Sequence, residues 1–175
     1  MVGCTCVFGY IETPQQYRRD IEILWSDDNT FGIFSSEPGT LHRAVEANLY
    51  CIAQDMITAH LNYDNVQDYV NARDCWDCTH LFYAAEQGHV ETAHLLLDNG
   101  TDPNVANDQI NGGTSALVMA IQEGHPKVAK LLLEYGANPN GCPEGELLHP
   151  LDVAKSVNDT ETLTLLLAYG AVQNR

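Results

Sequence analysis

Thr79-His-Leu-Phe-Tyr-Ala-Ala-Glu-Gln-Gly-His-Val-Glu-Thr-Ala-His-Leu-Leu-Leu-Asp-Asn-Gly-Thr-Asp-Pro-Asn104 is punctuated as two short helices. Ala84 and Ala85 sit in the middle of the first, where small side chains let a second helix approach closely. Gly88-His89 ends it, because glycine is the residue that most cheaply takes the left-handed conformation just past a helix C-terminus. The second helix starts at Val90, carries Val90, Ala93, Leu96 and Leu97 at helical spacing, and stops at Gly100. Asp102-Pro103-Asn104 forbids its continuation. Such a unit has apolar surface on more than one side, so it has to be stacked between copies of itself.

The copies are present. Ala84-Ala85-Glu86-Gln87-Gly88-His89 recurs as Ala120-Ile121-Gln122-Glu123-Gly124-His125, and Leu95-Leu96-Leu97-Asp98-Asn99-Gly100 as Leu131-Leu132-Leu133-Glu134-Tyr135-Gly136, both at an offset of 36 residues. A third copy runs from His149-Pro150-Leu151-Asp152-Val153-Ala154 to Leu165-Leu166-Leu167-Ala168-Tyr169-Gly170-Ala171, 34 residues further on. Gly39-Thr40-Leu41-His42-Arg43-Ala44 is a fourth opening, and Val70-Asn71-Ala72-Arg73-Asp74 closes its repeat. This pattern resembles the ankyrin repeat, about 33 residues with a Thr-Pro-Leu-His-x-Ala opening. No copy carries the whole opening: Leu41-His42 lacks Thr-Pro, Thr79-His80-Leu81-Phe82 lacks Pro and His, Ser115-Ala116-Leu117-Val118 keeps only Leu, and His149-Pro150-Leu151-Asp152 keeps Pro-Leu.

The resemblance, over residues 39–172, implies an all-α solenoid of helix-turn-helix repeats joined by short hairpin-like loops. It also implies a family of non-enzymatic binding modules whose loop tips and first helices form a concave recognition surface. The expected repeats are residues 39–73, 74–107, 108–141 and 142–175. Residues 1–38 do not match them and are read as an N-terminal capping segment with a helix over about residues 14–26. There Thr13-Pro14 suits a helix start, and Tyr17, Ile21, Leu24 and Trp25 make one apolar stripe opposite Arg18, Arg19 and Glu22.

A chain of 175 residues with 45% hydrophobic content is filled by four repeats and a cap, which leaves no room for a separate catalytic domain. Its 24 acidic residues face 8 Lys and Arg, a net charge of −16. Nucleic acid and anionic membranes are therefore poor partners, whereas a basic protein surface is attracted at long range. The plainer reading of the same charge is solubility. No apolar run approaches the roughly 18 residues of a membrane span, and residues 1–10 lack the basic start of a signal peptide. Six scattered cysteines then point to free thiols in a reducing cytosol, and the free protein is expected to be a monomer.

Two departures from the period stand out. The first repeat is long, with an excess around Asn62 to Tyr69, after a second helix near Tyr50 to Leu61, that is expected to form a loop on one face. The third has an extended start, where Asn107-Asp108-Gln109-Ile110-Asn111-Gly112-Gly113 carries hairpin chemistry. Ile110 at such a tip has no core to serve and is a candidate contact.

Seven histidines invite an enzymatic reading. His42, His89 and His125 occupy positions where the ankyrin pattern places histidine, and they are expected to bridge loop backbone between repeats. Cys75-Trp76-Asp77-Cys78 followed by His80 is the one arrangement with metal or redox potential, and it defines the alternative function. A zinc site needs a second pair, and Cys4-x-Cys6 has the wrong spacing for it. A redox couple needs a strand-to-helix context that this loop does not supply. No cofactor, metal site or catalytic residue is expected.

The positions that vary in the ankyrin pattern fall on Cys75, Trp76, Cys78, Glu86 and Gln87, and on Gln109, Ile110, Thr114, Gln122 and Glu123. Phe82, Tyr83, Val118 and Met119 share those first helices, and of these Tyr83 and Met119 are expected to be the exposed pair. The candidate partner-binding set is Trp76, Asp77, Tyr83, Glu86, Gln87, Gln109, Ile110, Met119, Gln122 and Glu123. Between Arg73 and Lys127 there is no Lys or Arg at all.

Overall fold

Every repeat turns from its first helix to its second by one backbone device. Asn48, Gly88, Gly124 and Asn158 all have positive φ, between 55° and 76°. The next amide in each case bonds the carbonyl five residues back: Leu49 to Ala44, His89 to Ala84, His125 to Ala120 and Asp159 to Ala154. Asparagine and glycine are the residues that tolerate that conformation, which is why these two types alone fill the position.

The elements were traced in a computed structural model that describes residues 38–60, 66–74, 76–107, 113–141 and 148–172. In chain order they are α1 (Pro38–Glu46), α2 (Tyr50–His60), α3 (Val66–Val70), α4 (His80–Glu86), α5 (Val90–Asp98), β1 (Ala106–Asn107), β2 (Thr114–Ser115), α6 (Ala116–Gln122), α7 (Pro126–Glu134), α8 (Pro150–Ser156) and α9 (Thr160–Ala168). The first helices α1, α4, α6 and α8 pack side by side as one layer, and the second helices α2, α5, α7 and α9 form the other. The two strands make one antiparallel ribbon, with Ala106 opposite Ser115 and Asn107 opposite Thr114. The mostly helical solenoid with short hairpin-like loops is thus present, and no described helix is long and apolar enough to cross a membrane.

The core lies between the layers and between successive repeats. Leu41, Leu81, Leu117 and Leu151, one per repeat, are each at most 1% exposed. Each such burial stabilises by roughly 1.5–3 kcal/mol. First helices are opened by hydroxyl caps where available: Thr79 Oγ1 accepts from the Phe82 amide and Ser115 Oγ from the Val118 amide.

A second device ties repeats together. Asn71 Nδ2 donates to the Gly100 carbonyl while its Oδ1 accepts from the Asp102 amide. Asn104 does the same to Gly136 O and Asn138 N. Asn140 Oδ1 accepts from Val172 N. Each asparagine thereby clamps the end of the next repeat's second helix.

The long first repeat differs from the loop expected of it. Its extra residues include the helix α3, where Tyr69 and Val70 are buried and Val66 packs on the core. The spacing of Val66, Tyr69 and Val70 is itself helical, a signal diluted by the polar residues around it. The expected N-terminal helix over residues 14–26, Cys75, Gln109, Ile110 and residues 62–65 lie outside the described residues.

Candidate functional site

The loop from Arg73 to Thr79 projects ahead of α4 and is closed by a bridge between those two residues. Its organiser is Asp74. Asp74 Oδ1 accepts from the amides of Trp76 and Cys78, both at 2.9 Å, and Oδ2 accepts from the Tyr83 hydroxyl at 2.6 Å. Burial alone would raise its pKa. The hydrogen bonds from Tyr83, Cys78 and Trp76 outweigh that and hold the carboxyl below the usual carboxylate range. A stable negative charge therefore stands at the base of the loop. Asp77, in a left-handed conformation at φ 62°, pairs with Arg73, whose guanidinium also donates to the Ala106 carbonyl.

Trp76 at the loop's crest is 58% exposed. Of the candidate contacts on the first helices, Gln87, Gln122 and Glu123 are exposed, whereas Glu86, Tyr83 and Met119 are half-buried. Phe82 and Val118 are buried, so Tyr83 and Met119 are the more accessible member of each pair, though half-buried where exposure is expected. Tyr83 is nonetheless held on several sides: its ring meets His42 and Phe82 edge-on, its hydroxyl is fixed on Asp74, and burial followed by that bond pushes its phenol pKa up. Its replacement would disturb packing as well as any contact. Met119 occupies the equivalent position on α6, 36 residues on.

The stack brings these residues together in two groups. Trp76 and Asp77 stand before the N-terminus of α4. Glu86 and Gln87 stand at its other end, one helix of seven residues away, beside the turn carrying Gln122 and Glu123, since His125 Nε2 donates to the Glu86 carbonyl at 3.0 Å. Gln109 and Ile110 fall outside the described residues and join neither group here.

Four of the histidines, His42, His80, His89 and His125, have structural uses. His89 Nε2 reaches the Glu46 carbonyl exactly as a bridge between consecutive repeats requires, at 3.2 Å, and His125 repeats it. His42 reaches forward instead, to the Cys78 carbonyl, and lies face to face with His80 at a centroid distance of 3.7 Å. His80 is fully buried and donates from Nδ1 to the Val70 carbonyl. Cys78 is buried too, and burial pushes its thiol pKa up, away from the reactive thiolate. Among the described residues no cluster of three or more His, Cys, Asp or Glu could hold a metal ion.

Three features escaped the sequence reading. Asp74 as loop organiser had a signal, an Asp preceding Trp76 and Cys78 at the spacing of a side-chain-closed turn. The asparagine clamps had one in the 33- and 36-residue offsets of Asn71, Asn104 and Asn140. The third, on the second-helix layer, had none: His94 Nδ1 contacts Asp98 Oδ2 at 2.8 Å while Tyr135 from the next repeat donates to Asp98 Oδ1.

The sequence model of ankyrin repeats, in three copies, matches residues 41–142, more than half of the chain. No curated protein matches it. With the helix pairs, the left-handed turns and the inter-repeat histidines and asparagines in register through that span, the chain belongs to the ankyrin-repeat family.

Proposed function

We propose that this chain is a non-enzymatic module that docks a basic protein through the Trp76 loop and the acidic ends of its first helices, masking or inhibiting that partner. Ankyrin repeats are generic protein–protein interaction modules. The observation that carries the finer reading is the layout of charge. From Arg73 to Lys127 the chain supplies no other cation, and Arg73 is occupied by Asp77. Lys130 and Lys155 are likewise paired within their own helices, with Glu134 and Asp152. Apart from Asp77, held by Arg73, and Asp98, in contact with His94, the carboxylates between Arg73 and Lys127 have no Lys or Arg within that stretch to offset them. Their field steers a positive surface toward exposed Trp76, an aromatic of the kind that anchors interfaces.

A soluble, cytosolic monomer suits this role. The described cysteines Cys51 and Cys78 are both buried. Capture of partners from native lysate, followed by stopped-flow association at increasing salt, tests the proposal. The association rate is expected to fall at least tenfold between low and high salt, because screening shortens the Debye length to about 10 Å at 0.1 M. A captured partner whose association ignores salt would refute the electrostatic reading.

A further inference from the structure

We infer that the crest of the Arg73–Thr79 loop seats an arginine side chain of the partner, with the guanidinium stacked on the Trp76 indole. This rests on the basic-partner reading and makes it specific. Trp76 is 58% exposed, and its ring meets no other ring among the described residues. The described backbone amides around it are already held within the chain. The Trp76 and Cys78 amides are both anchored on Asp74 Oδ1, the Asp77 amide on the Asp74 carbonyl, and the Asp74 amide on the Cys78 carbonyl. Little ordering cost is left for binding, which is the condition under which a single aromatic contributes strongly.

The charge around the indole selects a cation. Asp74 is held by three uncharged donors, with His42 the one charge-type influence that lowers its pKa, so its negative charge remains available to the surroundings. Asp74 and Glu86 together are felt at Cys78, two residues from Trp76, where both oppose ionisation of the thiol. The one nearby guanidinium, that of Arg73, is turned to Asp77 and the Ala106 carbonyl. The indole face is therefore an aromatic platform in a negative field with no cation of its own among the described residues. Arginine suits it better than lysine, because a planar guanidinium stacks on the ring while its edge N–H groups stay free to reach carboxylates.

The test uses the full chain with two probes, an oligo-arginine and an oligo-lysine peptide of equal length, titrated at low salt by calorimetry. The parent protein is expected to bind the arginine peptide about fivefold more tightly than the lysine peptide. Trp76→Leu should erase that preference, weakening the arginine peptide more than the lysine peptide at an unchanged melting temperature, and Trp76→Phe should keep part of it. Equal binding of the two peptides by the parent, or a preference that survives Trp76→Leu, overturns the arginine seat and leaves a basic partner standing. Binding of neither peptide by the parent overturns both.

Discussion

The second and third repeats differ from the fourth at matched positions. Leu97 and Leu133 are 5% and 3% exposed beneath the following repeat, whereas Leu167, in the same place on α9, is 50% exposed. On the first-helix layer, buried Phe82 and Val118 give way to Asp152, and buried Ala85 and Ile121 to Lys155. Asp152 and Lys155 are exposed and pair with each other at 3.4 Å. The bridging histidine is also replaced, by Asp159, which caps its own helix through the Thr162 amide. The fourth repeat is thus sealed by charge on its first helix and left partly apolar on its second. A repeat's identity is set by its inward face, and its outward face by what covers it.

The largest expected effect breaks this comparison if it fails. Leu97→Ala and Leu133→Ala should each cost about 2–5 kcal/mol in chemical denaturation, through lost burial and a residual cavity. Leu167→Ala should cost under about 1 kcal/mol, since half of that side chain is already in water. Equal losses at all three would mean that the exposed end is covered in solution. A smaller effect sharpens the role of the missing histidine. A Cβ at Gly88 would sit 2.6 Å from the His125 ring, while one at Gly124, faced by Asp159's repeat, meets nothing within 4 Å. Gly124→Ala is expected to cost only the left-handed backbone strain, about 1–2 kcal/mol, and Gly88→Ala measurably more. Thermal melts of the pair decide whether the histidine bridge or the backbone alone demands glycine.

The smallest effect concerns the loops ahead of α4 and α6. Asp74 closes the first, and Asn107, 33 residues on, holds the second by accepting from the Thr114 amide at 2.8 Å. One organiser titrates and the other does not. Because the folded Asp74 pKa lies below its ordinary value of 3.8, its stabilisation is present above that value and is lost as pH falls through the folded pKa. Asp74→Asn should therefore lower the melting temperature slightly at neutral pH, and the gap to the parent should close below about pH 4. A gap that persists into acid would show that the loop is held by shape alone.

Much of this was legible beforehand. The period, the helix pairs and the glycine turns follow from residues whose conformational limits are local, so Gly88, Gly100, Gly124 and Gly136 mark their elements without reference to neighbours. The exposed indole at Trp76 was legible as well, because a large aromatic among Cys, Asp and Cys in a loop has no helix face to join. Tyr83 was harder. Its place on α4 identifies it as less buried than Phe82, yet only the fold brings Asp74, His42 and Phe82 around it. His80 beside a Cys-x-x-Cys looks like chemistry in one dimension, and in three it is a buried histidine stacked on His42.

By itself, then, the sequence determined the repeat, its register, the acidic balance and the aromatic at the crest, since these are properties of single residues and of their spacing. The tertiary structure alone decided which polar groups meet: the asparagine clamps between repeats, the Asp74 carboxylate under Trp76, the forward reach of His42 and the half-open end at Leu167. Except for the Asp74 carboxylate, whose partners lie 2, 4 and 9 residues away, those depend on residues some 30 to 40 positions apart that touch only when helix pairs stack, and stacking distance is not written in any one repeat.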